Sequence, residues 1–250
     1  MKILLLGGIA ESKCIAQQLI ERGHEVIYSI VGLVRQPDLS CELHIGGFSS
    51  QGMTGAEGLG NYCLKRNIDL LLDATHPYAV RISANAVVAA KNSRIDCWRY
   101  TRPAWEAASY KNWHDFHDWD DLIPRIRDFL HPFFTTGASI LEQLDRRPAR
   151  QQWLVRCARK LPDIDGIVAI SAIGPFRYED ELSLMRQYNV DVLISKNSGC
   201  RSLAGKLDAA SSLGIPVFVQ RRPLLAEPNK CFDRIEGLLA EIPEINAREK

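Results

Sequence analysis

The chain lacks the features that would commit it to a specialised class. No apolar run in its 250 residues approaches the roughly 20 needed to cross a bilayer. Seven cysteines, at positions 14, 41, 63, 97, 157, 200 and 231, form no CxxC pair. They read as reduced thiols rather than a disulfide framework or a zinc site. Six histidines lack metal-ligand spacing: His114 and His117 stand three apart with no second pair nearby, so no metal is expected. A net charge of +1 provides no global basic field for nucleic acid. Anion recognition must therefore come from local clusters. Nothing reads as an export signal, because the apolar start Ile3-Leu4-Leu5-Leu6 is short and runs directly into Gly7-Gly8. The expectation is a cytoplasmic protein with no membrane or nucleic-acid partner, monomeric or a small homo-oligomer.

What is present is alternation. The apolar fraction is 46% and the charged fraction 24%, ordinary for a globular chain. Apolar runs at 3–6, 25–30, 41–45, 69–73 and 96–100 predict strands. Helical spacing falls between them at 11–22, at 55–65 and from Pro77 to about 91, with Thr75 or His76 as the cap of the last. Residues 104–132, rich in Trp, His and Asp, interrupt the rhythm, and a domain boundary is placed near residue 112. A helix is predicted over 122–130. Strands follow at 132–135, 152–157, 166–171, 190–195 and 215–219, with helices at 140–144, 179–188 and up to 213. A terminal helix over 232–242 and a frayed tail over 247–250 complete the reading. The fold class is α/β: two Rossmann-like domains with parallel sheets, over residues 1–112 and 113–250.

Several strand ends carry groups suited to chemistry. In Asp73-Ala74-Thr75-His76-Pro77-Tyr78-Ala79 a buried strand ends at an acid, where open α/β sheets place ligands. His76 there is either a ligand-facing group or a cap. Gly7-Gly8-Ile9-Ala10-Glu11-Ser12 is not GxGxxG, but its glycine pair lets a pyrophosphate approach the start of a helix. The second strand ends Tyr28-Ser29-Ile30-Val31-Gly32 with no acid for a ribose 2′-hydroxyl. Lys13 and Arg35, the nearby charges, favour NADP over NAD unless both are simply solvated. Gly46-Gly47-Phe48 either flanks a flat ring or is a plain turn with a core phenylalanine. In the second half, Thr136-Gly137 and Lys196-Asn197-Ser198-Gly199 follow apolar strands and can present N–H and hydroxyl groups to an anion. With Arg201, Lys206, Arg221 and Arg222 they point to a ligand bearing several carboxylates or phosphates.

These pieces, in order, resemble the precorrin-6A reductase family, which includes the cobalt-precorrin-6A reductases. The resemblance runs from Ile3 to about Pro223. It rests on Leu6-Gly7-Gly8 with Glu11, Gly46-Gly47-Phe48, Asp73 to Ala79 with Ser83 and Ala86, and Arg102-Pro103-Ala104-Trp105. In the second half it rests on Thr135-Thr136-Gly137, Gly174-Pro175-Phe176 with Glu179 to Glu181, Lys196 to Gly199, Lys206-Leu207 with Ala209-Ala210, and Arg222-Pro223. It implies a nicotinamide cofactor, NADPH with NADH possible, in a cleft between the domains. The implied reaction is reduction of one double bond of a tetrapyrrole that carries several carboxylates. Candidate cofactor contacts are Gly7 to Lys13, that is Gly7, Gly8, Ile9, Ala10, Glu11, Ser12 and Lys13, then Ser29, Gly32, Arg35, Gly46, Gly47, Phe48, Ala74, Thr75, Thr136 and Gly137. Candidate substrate contacts are His76, Pro77, Tyr78, Arg102, Trp105, Lys196, Asn197, Ser198, Gly199, Arg201, Lys206, Arg221 and Arg222. His76, Asp73 and Tyr78 are the candidate proton donors, and His76 has a suitable intrinsic pKa. Two departures stand out. Family members often read Ala-Gly-Arg-Thr where this chain has Val31-Gly32-Leu33-Val34, with Arg35 displaced by two. Ile9 stands where Thr or Ser is common. A redox sensor that binds a dinucleotide without turnover is the alternative class. A transferase using a nucleotide donor would want acids after the second strand.

Overall fold

A computed structural model describes residues 1–32 and 38–244. Arg35 and the 247–250 tail lie outside the described residues. The chain divides into two compact units: Met1–Pro103 with the C-terminal stretch from Pro223, and Ala104–Arg222.

In the first unit β1 (Lys2–Leu6), α1 (Ala10–Glu21), β2 (Glu25–Ile30), β3 (Glu42–Ile45), α2 (Gly55–Lys65), β4 (Leu70–Asp73), α3 (Val80–Ser93) and β5 (Asp96–Tyr100) alternate as the pattern predicts. The second unit holds β6 (Trp113–Phe116), α4 (Trp119–Arg125), β7 (Pro132–Phe134), a 3-10 segment (Ala138–Arg146), β8 (Trp153–Cys157) and β9 (Ile167–Ser171). It continues with α5 (Tyr178–Gln187), β10 (Val192–Lys196), α6 (Gly205–Leu213) and β11 (Val217–Gln220). The chain then returns to the first unit with β12 (Lys230–Phe232) and α7 (Ile235–Ala240). Both sheets are six-stranded and their ladders are parallel, in the orders β12-β5-β4-β1-β2-β3 and β6-β11-β10-β7-β8-β9. Strand order reverses between β1 and β4 in one sheet and between β7 and β10 in the other. Those reversals mark where such sheets bind ligands.

Burial explains the strands. All four residues of β4 and the last four of β1 are buried, as expected of parallel strands covered on both faces. Leu4, Leu6 and Leu71 pack on one face against α2 and α3. Ile3, Leu5, Leu70 and Leu72 pack on the other with α1 and α7 residues.

The structure departs from the sequence reading in several places. The crossing expected near residue 112 falls instead at 103/104, because Trp105, Tyr110 and Trp113 pack against the core of the second unit. A second crossing at 222/223 is added. The terminal helix expected over 232–242 is β12 followed by α7. β12 lies beside β5, and Asn229 bonds both the N–H and the C=O of Cys97 at 2.8 Å. The helix expected from Leu122 starts at Trp119, because the Asp118 carboxylate accepts from the Asp121 N–H at 2.9 Å and caps it. Finally, α3 starts at Val80 rather than Pro77. Residues 76–79 instead form a turn closed by the Ala79 N–H on the His76 carbonyl at 2.8 Å. Thr75 does not cap the helix, because its hydroxyl is held by Asp73.

Candidate active site

Four strand ends of the first unit line one pocket of ≈ 180 Å3. Its walls include Leu6, Gly7 and Gly8 after β1, Ser29, Ile30 and Val31 at the end of β2, Gly46, Gly47 and Phe48 after β3, and Thr75, His76 and Ala79 after β4. All four strands contribute their carboxyl ends.

The glycine turn is tightly built. A Cβ on Gly7 would lie 2.3 Å from the Tyr28 ring, and Tyr28 is fully buried. Gly8 has φ +122, a conformation that side chains disfavour, and its missing Cβ faces open space. Ile9 sits at the N-cap of α1 and has no acceptor to offer. Ser12, three residues on, does that work: its Oγ accepts from the N–H of Gly8 at 3.2 Å and of Ile9 at 3.3 Å. Gly7→Ala should cost about 1–3 kcal/mol by overpacking. Denaturant titration should register that loss, and a neutral substitution would mean that Tyr28 can move aside.

The β4 turn is anchored from below. Asp73 is 1% exposed. One carboxylate oxygen accepts from Arg99 Nε at 2.9 Å, and the other accepts from the Thr75 N–H at 3.1 Å and hydroxyl at 2.7 Å. Arg99 also donates to the carbonyl of Ala226, on the returning stretch, at 2.8 Å. Above this anchor, His76 Nδ1 accepts from the Tyr78 N–H at 3.3 Å, and the two rings stand 5.6 Å apart. A neutral His76 therefore carries its proton on Nε2. Phe48 both lines the pocket and stacks on His44, with centroids 4.5 Å apart. Arg102 is buried, and its Nη1 donates to both carboxylate oxygens of Glu11, in the first turn of α1, at 2.9 and 2.7 Å.

In the second unit the carboxyl ends of β7, β8 and β10 gather polar groups. The Thr136 hydroxyl is buried without a hydrogen-bond partner, and Gly137 has φ +79. Burial lowers the pKa of Lys196. Asn197 clamps Trp105, accepting from its N–H at 2.8 Å and donating to its carbonyl at 3.0 Å. Arg222 Nε donates to the Asn197 carbonyl at 2.9 Å. Lys206, 5% exposed, sits 5.1 Å from the Trp105 ring centroid. Beside it, Arg156 and Glu181 form a buried ion pair of 2.7 Å. Burial brings the Lys206 amine down to about 7; repulsion by Arg156 adds to the shift, and Glu181 and Cys200 oppose it.

The chain matches the family model for precorrin-6x reductase CbiJ/CobK over residues 2–242. It belongs to that family. It is 34% identical over 255 residues to the precorrin-6A reductase of Rhodococcus erythropolis, covering 99% of each chain. It is 27% identical over 239 residues to the cobalt-precorrin-6A reductase of Priestia megaterium, covering 88% of this chain and 90% of that one. The solved structure of CobK precorrin-6A reductase superimposes with a TM-score of 0.85 at 26% identity, over 96% of this chain and 95% of that one.

Within this reductase framework the first unit brings Gly7, Gly8, Ser29, Gly46, Gly47, Phe48, Thr75 and His76 to one pocket. Ala10 and Glu11 open α1 behind it, Ala74 is buried below it, and Pro77 and Tyr78 form the turn beside it. Lys13 and Gly32 are exposed. Arg221 points elsewhere: its guanidinium meets Asp115 at 3.2 Å and His117 at 3.3 Å, on the β6–β11 edge of the second sheet. Arg201 is exposed at the start of a short 3-10 turn, and Gly199 and Ser198 shape the loop before it. Sequence reasoning missed Tyr28, Arg99 and Arg156, and gave Glu181 no role beyond its place in the resemblance. Each sits inside a strand or helix and reads there as core or as an ordinary surface charge. Among the described residues, no group of His, Cys, Asp and Glu could hold a metal ion, and no helix is long and apolar enough to cross a membrane.

Proposed function

We propose that this chain reduces one double bond of the precorrin-6A macrocycle, using NADPH bound by the turns of the first unit. The observation that carries the reading is the single pocket where the glycine turns after β1 and β3 meet the His76 turn, in a chain that matches the reductase family nearly end to end. The residues fit a dinucleotide. Gly8 leaves open space where a side chain would stand, the pocket wall is mostly apolar, and α1 opens with N–H groups that have no intrahelical partner. When bound, the nicotinamide supplies a hydride.

The residues of the chain bind, orient and move a proton. Gly7, Gly8, Gly46 and Gly47 allow close backbone approach, and Phe48 offers a flat apolar wall. His76 is the proton donor of this reading: it acts as the imidazolium, with Nδ1 protonated and released by the Tyr78 N–H, gives up its Nε2 proton and returns to the neutral ring. Asp73 is an anchor rather than an acid, since Arg99 and Thr75 occupy both of its oxygens. Lys196, Arg201, Lys206 and Arg222 in the second unit bind the carboxylate arms of the macrocycle. NADPH is favoured over NADH because Ser29, Ile30 and Val31, which line the pocket at the end of β2, place no carboxylate where a ribose 2′-hydroxyl would be held.

Anaerobic incubation with precorrin-6A, metal-free and cobalt-bearing, should oxidise NADPH with a matching change in the absorbance of the macrocycle. No oxidation with either substrate would leave the sensor class as the better account. A kcat/KM ratio in favour of NADH would overturn the cofactor assignment. His76→Gln should lower turnover more than it weakens cofactor binding, and unchanged turnover would remove His76 as the donor.

A further inference from the structure

The glycine turn is held by a hydrogen-bond chain that the sequence does not advertise. Ser12 Oγ lies 2.7 Å from the Ile9 carbonyl and 2.7 Å from the Tyr28 hydroxyl. A hydroxyl has one proton to give. The carbonyl can only accept, so Ser12 donates to Ile9 and Tyr28 donates to Ser12. The Gly8 N–H then points between two acceptors, Tyr28 Oη at 3.1 Å and Ser12 Oγ at 3.2 Å. The Ile9 N–H takes the remaining lone pair of Ser12 Oγ, at 3.3 Å, so the main acceptor of the Gly8 N–H is Tyr28 Oη. Tyr28 and Ser12 are both fully buried, and the Tyr28 ring fills the volume that a Gly7 side chain would need.

We infer that Tyr28 is a positioning residue of the cofactor site: with Ser12 it fixes the backbone from Gly7 to Ile9 in the form that receives the dinucleotide. The inference rests on the reading of this pocket as the cofactor site. It follows that the N–H groups of Gly8 and Ile9 are committed internally. The donors that α1 presents next to the glycines are then those of Ala10 and Glu11. Ser12 also explains how the turn tolerates Ile9, since the cap comes from the third helical position instead.

The test is a double-mutant cycle read as cofactor affinity. Nicotinamide fluorescence should show the Kd for NADPH rising about tenfold in Tyr28→Phe and in Ser12→Ala, with KM following and kcat at saturating cofactor falling by much less. Both variants interrupt the same chain, so the double variant should be no weaker than about tenfold rather than about a hundredfold, the shortfall marking direct coupling. Thermal unfolding of each variant separates a loosened turn from a lost fold. A folded Tyr28→Phe that binds NADPH as tightly as the unmodified chain overturns the role of Tyr28, as do fully additive effects. An unmodified chain that binds neither NADPH nor NADH overturns the reading of the pocket itself, which is a different result.

Discussion

Asp73→Ala should destabilise the chain by about 3–5 kcal/mol, because it strands a buried guanidinium. Arg99 is 5% exposed and Asp73 1%. One Nη2 of Arg99 already has no hydrogen-bond partner, so the pair has little spare solvation to fall back on. Removing the carboxylate also releases the Thr75 N–H and hydroxyl, and with them the turn that carries His76. Equilibrium unfolding in urea should show the loss as a lower midpoint. The companion variant Asp73→Ala/Arg99→Met should recover a large part of it, since replacing both members of a buried pair by apolar groups is far cheaper than removing one. A loss below about 1 kcal/mol in the single variant would show that water reaches Arg99, and the anchoring role of Asp73 would fall with it.

The same pair shows what sequence reading captures and what it does not. β1, β2, β4 and β5 are legible because strands buried on both faces become unbroken apolar runs, and Leu70-Leu71-Leu72 leaves few alternatives. β6 and β12 are not legible. Trp113–Phe116 and Lys230–Phe232 are edge strands whose residues are mostly partly or fully exposed, and each pairs with a strand distant in the chain. The glycine turns announce themselves because few other residues suit them. Their supports do not: Arg99 lies 26 residues from Asp73 and Arg102 lies 91 from Glu11, so both arginines read as free cations until the fold brings the acids to them. Arg102 looks like a carboxylate receptor in sequence, but its guanidinium already meets the Glu11 carboxylate.

Lys206 leads to the last expectation, a stability that climbs with pH. In the unfolded chain a lysine keeps its proton to about pH 10.4. In the fold, burial and the repulsion of Arg156 bring the group to about 7, against the pull of Glu181 and Cys200. Between those values the unfolded state binds one proton more than the folded state. Stability must therefore rise with pH across that window, at about 1.4 kcal/mol per pH unit from this residue alone. Below about pH 7 both states are protonated and the full penalty of the buried charge is present. Lys206→Met should accordingly be more stable than the parent at pH 6–7 and lose its advantage toward pH 10, with the difference between the two curves isolating Lys206 from every other titrating group. Parallel curves would mean that the amine finds solvent or a partner in the fold. On the proposed function this amine, over Trp105 and beside an ion pair, is held for an anion. On the proposed reading that anion is a carboxylate of the macrocycle, which would restore the charge. Substrate binding near pH 8 should then take up a proton, measurable by calorimetry in buffers of different ionisation heat, and Lys206→Met should abolish that uptake.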